Sequence, residues 1–103
     1  MFFTLKSKEI VADGNLIDDG FVVFKGSEAK LNTTPSCHKY LRIFLQEKGV
    51  IVQSNNCYQF VEDYVFSSPS TAGGVILGRA TNGWTKWGNS EGKTLDEVRR
   101  KSV

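Results

Sequence analysis

The first third of the chain alternates short apolar bursts with turn dipeptides. Phe2 to Leu5, Asn15 to Ile17 and Phe21 to Phe24 are separated by Asp13-Gly14, Asp19-Gly20 and Gly26-Ser27. Runs this short, bounded by Asp-Gly pairs, predict a meander of brief strands rather than helices. Phe21 to Phe24 is apolar at every position, which predicts a strand covered on both faces. The period then changes. Cys37, Tyr40, Leu41, Phe44 and Leu45 recur at helical spacing, with His38, Lys39, Arg42 and Gln46 falling away from that stripe. Thr34 as cap, Pro35 at the first helical position and Gly49 as stop predict a helix from Pro35 to Lys48.

The second half returns to strands. Val50 to Val52, a polar turn at Ser54-Asn55-Asn56 and the run from Cys57 to Phe66 predict a hairpin. Tyr58, Phe60, Tyr64 and Phe66 share one parity and predict an aromatic face, with a bulge, turn or edge at Glu62-Asp63. Ser68 and Pro69 open a second predicted helix, along which Ala72, Val75, Ile76 and Arg79 follow at helical spacing. Gly73-Gly74 inside it costs roughly 1 kcal/mol each against alanine, so another backbone or a ligand is expected to approach closely there. Asn82-Gly83 reads as a turn and Trp84 to Trp87 as a short strand. In a strand the two tryptophans point to opposite faces, Trp87 inward and Trp84 outward. Gly88 and Gly92 bracket a further turn. Thr94 and Glu97 form a capping box for a last short helix that has only Leu95 and Val98 to bury. The expected fold class is α+β: a mostly antiparallel sheet of short strands packed against two main helices, plus a short C-terminal helix.

Composition sets the scale. The chain has 103 residues, 40% hydrophobic and 23% charged, which fits one small globular domain. The formal net charge of +2 neither demands nor excludes a nucleic-acid partner. Two distant cysteines and one histidine give no metal-ligand spacing, and no cofactor motif is present. The start, "MFFTLKSKEIV", lacks the basic n-region and long apolar run of a signal peptide, and no apolar stretch nears the ~20 residues of a membrane span, so a cytoplasmic protein with reduced thiols is expected.

Catalytic constellations are thin. Cys37 and His38 are adjacent, but neighbours on a helix point about 100° apart and do not face each other. Asp18-Asp19 and Glu62-Asp63 sit beside turns without a second acidic cluster, and Asp96-Glu97 are explained by capping. No catalytic residue is assigned. The C-terminal quarter is more suggestive. Arg79, Lys86, Lys93, Arg99, Arg100 and Lys101 outnumber Glu91, Asp96 and Glu97 and are interleaved with Trp84 and Trp87. Cations neutralise phosphate and an indole offers its face to a base. Ser67, Ser70 and Asn82 add polar groups, and the amides opening the second helix favour an anion. The candidate nucleic-acid contacts are therefore Ser67, Ser70, Arg79, Asn82, Trp84, Lys86 and Lys93.

The pattern from Asp63 to Ser70, then Ala72, Leu77-Gly78-Arg79, Asn82-Gly83-Trp84 with Trp87, and Gly92-Lys93-Thr94-Leu95 resembles a bacterial family, domain-of-unknown-function family 4357. Gly26-Ser27, Leu41-Arg42 and Gly49-Val50 match its weaker positions, so the resemblance spans nearly the whole chain. Gly73-Gly74 departs from the family's alanine-rich stretch. Such domains sit at the C-terminal end of GIY-YIG-type nucleases and restriction-modification proteins, and resemble the RAMA module proposed to read modified DNA. The resemblance implies a non-catalytic accessory domain whose partners are DNA, duplex or modified, and a nuclease or methyltransferase protein. A different class stays open: a protein-interaction module that positions a nuclease or methylase, using the aromatic face of residues 58–66 if helices leave it uncovered.

Overall fold

In the computed structural model, which describes residues 2–34 and 38–100, the α+β class holds, with two antiparallel sheets instead of one. The first has the order β1-β2-β3-β7, built from Phe3–Lys6, Val11–Ile17, Gly20–Val23 and Tyr64–Phe66. The second has the order β4-β6-β5, from Glu28–Lys30, Cys57–Phe60 and Ile51–Ser54. The expected meander is present as β1 to β3. Asp13-Gly14, however, is no turn. It lies inside β2, with Gly14 opposite Val23 on one side and Phe3 on the other. The Phe21 ring lies across Gly14, where a Cβ would come within 2.5 Å of it and within 2.4 Å of the Val22 carbonyl. Cross-strand packing thus overrides the turn propensity of the dipeptide. The Asp13 carboxylate accepts from Thr4 Oγ1 at 2.7 Å instead of closing a turn. Phe21 and Val23 are buried while Val22 and Phe24 are half-buried, so β3 has one fully covered face.

The run from Cys57 to Phe66 breaks in the expected place and changes sheet there. β6 stays in the second sheet and β7 pairs with β3 in the first. Asp63 Oδ1 accepts from Lys25 N at 2.7 Å, and Phe60 and Ser27 are joined main chain to main chain. This crossover joins the sheets, and its aromatic face is covered. Phe60 and Phe66 are buried with ring centroids 6.2 Å apart, and Tyr58 and Tyr64 are half-buried.

The first helix, α1, spans Lys39–Glu47, shorter than expected. The proposed Pro35 start and Cys37 lie outside the described residues. His38 precedes the helix without a side-chain cap bond, and Thr34 donates its N–H to the Gly78 carbonyl at 2.7 Å. The stripe is also turned. Leu45 is buried, but Tyr40 is 87% exposed and Phe44 44% exposed. Arg42, expected outside, is only 4% exposed. Its Nε donates to the Val75 carbonyl at 2.8 Å and its Nη1 to Leu31 at 3.4 Å, while Nη2 donates to the Lys30 carbonyl. Its guanidinium carbon lies 5.4 Å from the centre of the Tyr58 ring. The fork geometry of arginine satisfies several main-chain acceptors at once, and this fixes the rotation of α1. The helix ends as expected, with Gly49 at φ 74°.

The second helix, α2, spans Pro69–Leu77 and forms the centre of the core, with Ala72, Val75, Ile76 and Leu77 buried. Ser68 caps it by accepting from Thr71 N at 3.1 Å, and Gly78 ends it at φ 73°. The close approach expected at Gly73-Gly74 is real, but the neighbour is a side chain. A Cβ on Gly74 would come within 2.6 Å of His38 Cδ2.

Candidate functional site

Trp84 to Trp87 is not a strand. Gly83–Lys86 forms a single helical turn, α3, and Trp87 follows it as the C-cap. Asn82 acts as the N-cap: its Oδ1 accepts from Trp84 N at 3.1 Å. Its carbonyl accepts from Thr85 N at 3.2 Å. An Asn-Gly pair opens a hairpin only when strands flank it. Here Gly83 is pressed onto the start of α2, where a Cβ would lie 2.2 Å from the Pro69 carbonyl oxygen. Gly83 N donates to Ser70 Oγ at 2.9 Å. Backbone contact at the two helix starts therefore selects the helical turn.

The expected split between the tryptophans holds, though not through strand alternation. Trp87 is fully buried, with Nε1 donating to the Pro69 carbonyl at 3.1 Å and its ring 4.5 Å from that of Phe21. Trp84, three residues earlier on the same turn, is half-buried and packs against the margin of the core.

Of the remaining candidate residues, Ser67, Asn82, Lys86 and Lys93 are exposed and Ser70 is half-buried. Ser67 Oγ donates to Thr71 Oγ1 at 3.4 Å. The structure brings Ser70 together with Asn82-Gly83, and Trp84 and Lys86 follow on α3. Lys93 lies one turn further on, in the loop closed by Gly92 N donating to the Asn89 carbonyl at 3.0 Å. Arg79 stands apart. It follows the C-terminus of α2, and nine residues at 1.5 Å per residue put it about 13 Å from the helix start. Nor does the start of α2 present a row of amides to an anion. Pro69 has no N–H, Thr71 N is held by Ser68 Oγ, and Ala72 N is held by the Ser68 carbonyl.

Sequence reasoning missed the edge of β1. Thr4 and Gly88 exchange main-chain bonds at 2.7 and 3.0 Å, and Gly88 also bridges to Thr94. The loop after α3 thereby extends the first sheet. Phe2, Thr4 and Lys6 line a groove of about 320 Å³ together with Asn89 and Ser90. The alternation of Phe2, Thr4 and Lys6 was the available signal, since same-parity residues share a face.

Cys57 is half-buried beside Glu28. Burial first, and then the Glu28 carboxylate by its charge and a hydrogen bond, push the thiol above its ordinary range. It is a poor nucleophile on these grounds. No helix among the described residues is long and apolar enough to cross a membrane.

No curated protein and no solved structure matches the chain. A family model does, over residues 3–99, and it covers the two sheets, α1 to α3 and nearly all of the C-terminal helix Asp96–Arg100: the chain belongs to the family described as Domain of unknown function (DUF4357).

Proposed function

We propose that this is a cytoplasmic, non-catalytic DNA-associated accessory domain. On this reading it resembles the RAMA-like modules of restriction-modification and GIY-YIG nuclease proteins and senses modified DNA. The observation that supports it is the sequence of exposed groups along α3 and the following loop: Asn82, half-exposed Trp84, Lys86 and Lys93. Cations beside a partly exposed indole suit a phosphate backbone and a base face. Ser67 and Ser70 are retained as neighbouring polar groups, whereas Arg79 is a separate, more distant cation.

Titration with fluorescent DNA, adenine-methylated and unmodified, at two salt concentrations tests this reading. Binding should weaken steeply with salt, and Lys86→Gln and Lys93→Gln should each lower the salt slope by about one. Absence of binding to duplex and single strand at low salt removes the DNA reading.

The second reading, a module that positions a nuclease or methylase protein, draws support from α1 instead of residues 58–66. Tyr40, Ile43 and Phe44 are exposed along one side of that helix. A protein complex formed there should be nearly insensitive to salt.

A further inference from the structure

The geometry points to a second binding feature, at the β1 edge: the groove lined by Phe2, Thr4, Lys6, Asn89 and Ser90 is a site for one unpaired nucleotide. This inference rests on the DNA reading above and goes further by naming the form of DNA. Its floor is rigid. Thr4 is paired with Gly88 on one side and Asp13 on the other, and its hydroxyl is committed to the Asp13 carboxylate. Asn89 is held as firmly. Its Oδ1 accepts from Glu91 N at 2.9 Å and from Lys93 N at 3.0 Å. With that oxygen occupied, the side chain offers a ligand its NH2 donors.

The groups facing the groove are therefore one aromatic ring, one ammonium, one fixed amide donor and one hydroxyl. Phe2 is 50% exposed, and Lys6 is exposed with no acidic partner among the described residues. Lys93 is exposed on the turn that holds Asn89. A ligand complementary to this set is planar and aromatic, rich in acceptors and anionic. A nucleotide has all three properties: the base stacks on Phe2, the phosphate meets Lys6, and base carbonyls or ring nitrogens accept from Asn89 and Ser90. A volume near 320 Å³ is at the small end of the usual range for small-molecule sites, about 300–1,000 Å³, and suits one nucleotide. Within a duplex both faces of a base are covered by its neighbours, so only an unpaired base can stack here.

The test is fluorescence anisotropy of the protein with a short labelled single-stranded oligodeoxynucleotide and with its duplex, at one low salt concentration. Deoxyadenosine monophosphate and inorganic phosphate serve as competitors. The single strand should bind about tenfold more tightly than the duplex, and the mononucleotide should displace it where phosphate does not. Phe2→Ala should weaken single-strand binding about tenfold, and Phe2→Trp should restore it, since the loss of one stacked base is of that size. Thermal unfolding of both variants checks that the fold survives. Duplex binding equal to single-strand binding, with Phe2→Ala silent, overturns the nucleotide site and leaves the DNA reading standing. No binding to either form overturns both.

Discussion

The indole of Trp87 donates to the main-chain carbonyl of Pro69 at 3.1 Å, so the residue that ends α3 is tied to the residue that begins α2. Both are buried. Trp87→Phe keeps most of the apolar area but loses the indole's hydrogen bond to that carbonyl, and should cost about 1 kcal/mol. Trp87→Ala adds a cavity beside Phe21 and should cost about 3–5 kcal/mol. Urea unfolding measures both, and Trp84→Ala should cost less than Trp87→Ala in the same assay.

Arg42→Lys should destabilise the fold despite keeping the charge. An ammonium cannot reproduce the fork that serves the carbonyls of Val75, Leu31 and Lys30. Loss of one or more charge-assisted bonds in this buried place should cost about 2–3 kcal/mol in urea unfolding. A loss below half a kcal/mol would show that α1 is held by apolar contacts alone.

Gly83 and Gly74 should respond differently to alanine. At Gly83 the new Cβ meets the fixed backbone of Pro69 and Ser70, so Gly83→Ala should lower Tm by several degrees. At Gly74 its nearest obstacle is the movable imidazole of His38. In a His38→Ala background, Gly74→Ala should recover roughly 1 kcal/mol of helix propensity. Differential unfolding of the two single variants and the double variant decides this.

Cys57 should alkylate slowly. Its folded pKa is raised, so the thiol remains protonated at mildly alkaline pH where an exposed cysteine begins to ionise. The linkage sign follows. This raised pKa contributes stability that is present below the unfolded thiol pKa and is lost as pH rises through the folded value. Glu28→Gln removes the charge that helps raise it. In a Cys37→Ser chain, that change should speed reaction with iodoacetamide; an unchanged rate would assign the shift to burial alone.

Local chemistry was legible wherever a short stretch supplies its own partners. Ser68 before Pro69 accepts from Thr71 N, as a cap does. Thr94 and Glu97 exchange their capping bonds at 3.2 and 3.3 Å, ahead of the C-terminal helix Asp96–Arg100. Leu95, just before that helix, and Val98 within it are the partners of the core, as expected. The break after Phe60 was also marked by Glu62-Asp63. The candidate contacts were legible as residue types but not as one constellation. Arg79 shares the sequence neighbourhood of Asn82, yet it lies at the far end of α2.

By itself the sequence determined the strand meander, the starts of α2 and the last helix, and the α+β class. Each of these rests on hydrogen bonds within a few residues or on a period that any core must respect. Only the tertiary structure decided the rotation of α1, the strand conformation of Asp13-Gly14 and the helical turn at Gly83–Lys86. Arg42 turns inward because main-chain carbonyls from distant elements converge on it, and Gly14 stays extended because Phe21 lies across it. Gly83 winds into a helix because Pro69, fourteen positions earlier, leaves room for no side chain there. In each case the deciding contact comes from far along the chain, where neither periodicity nor turn propensity carries information.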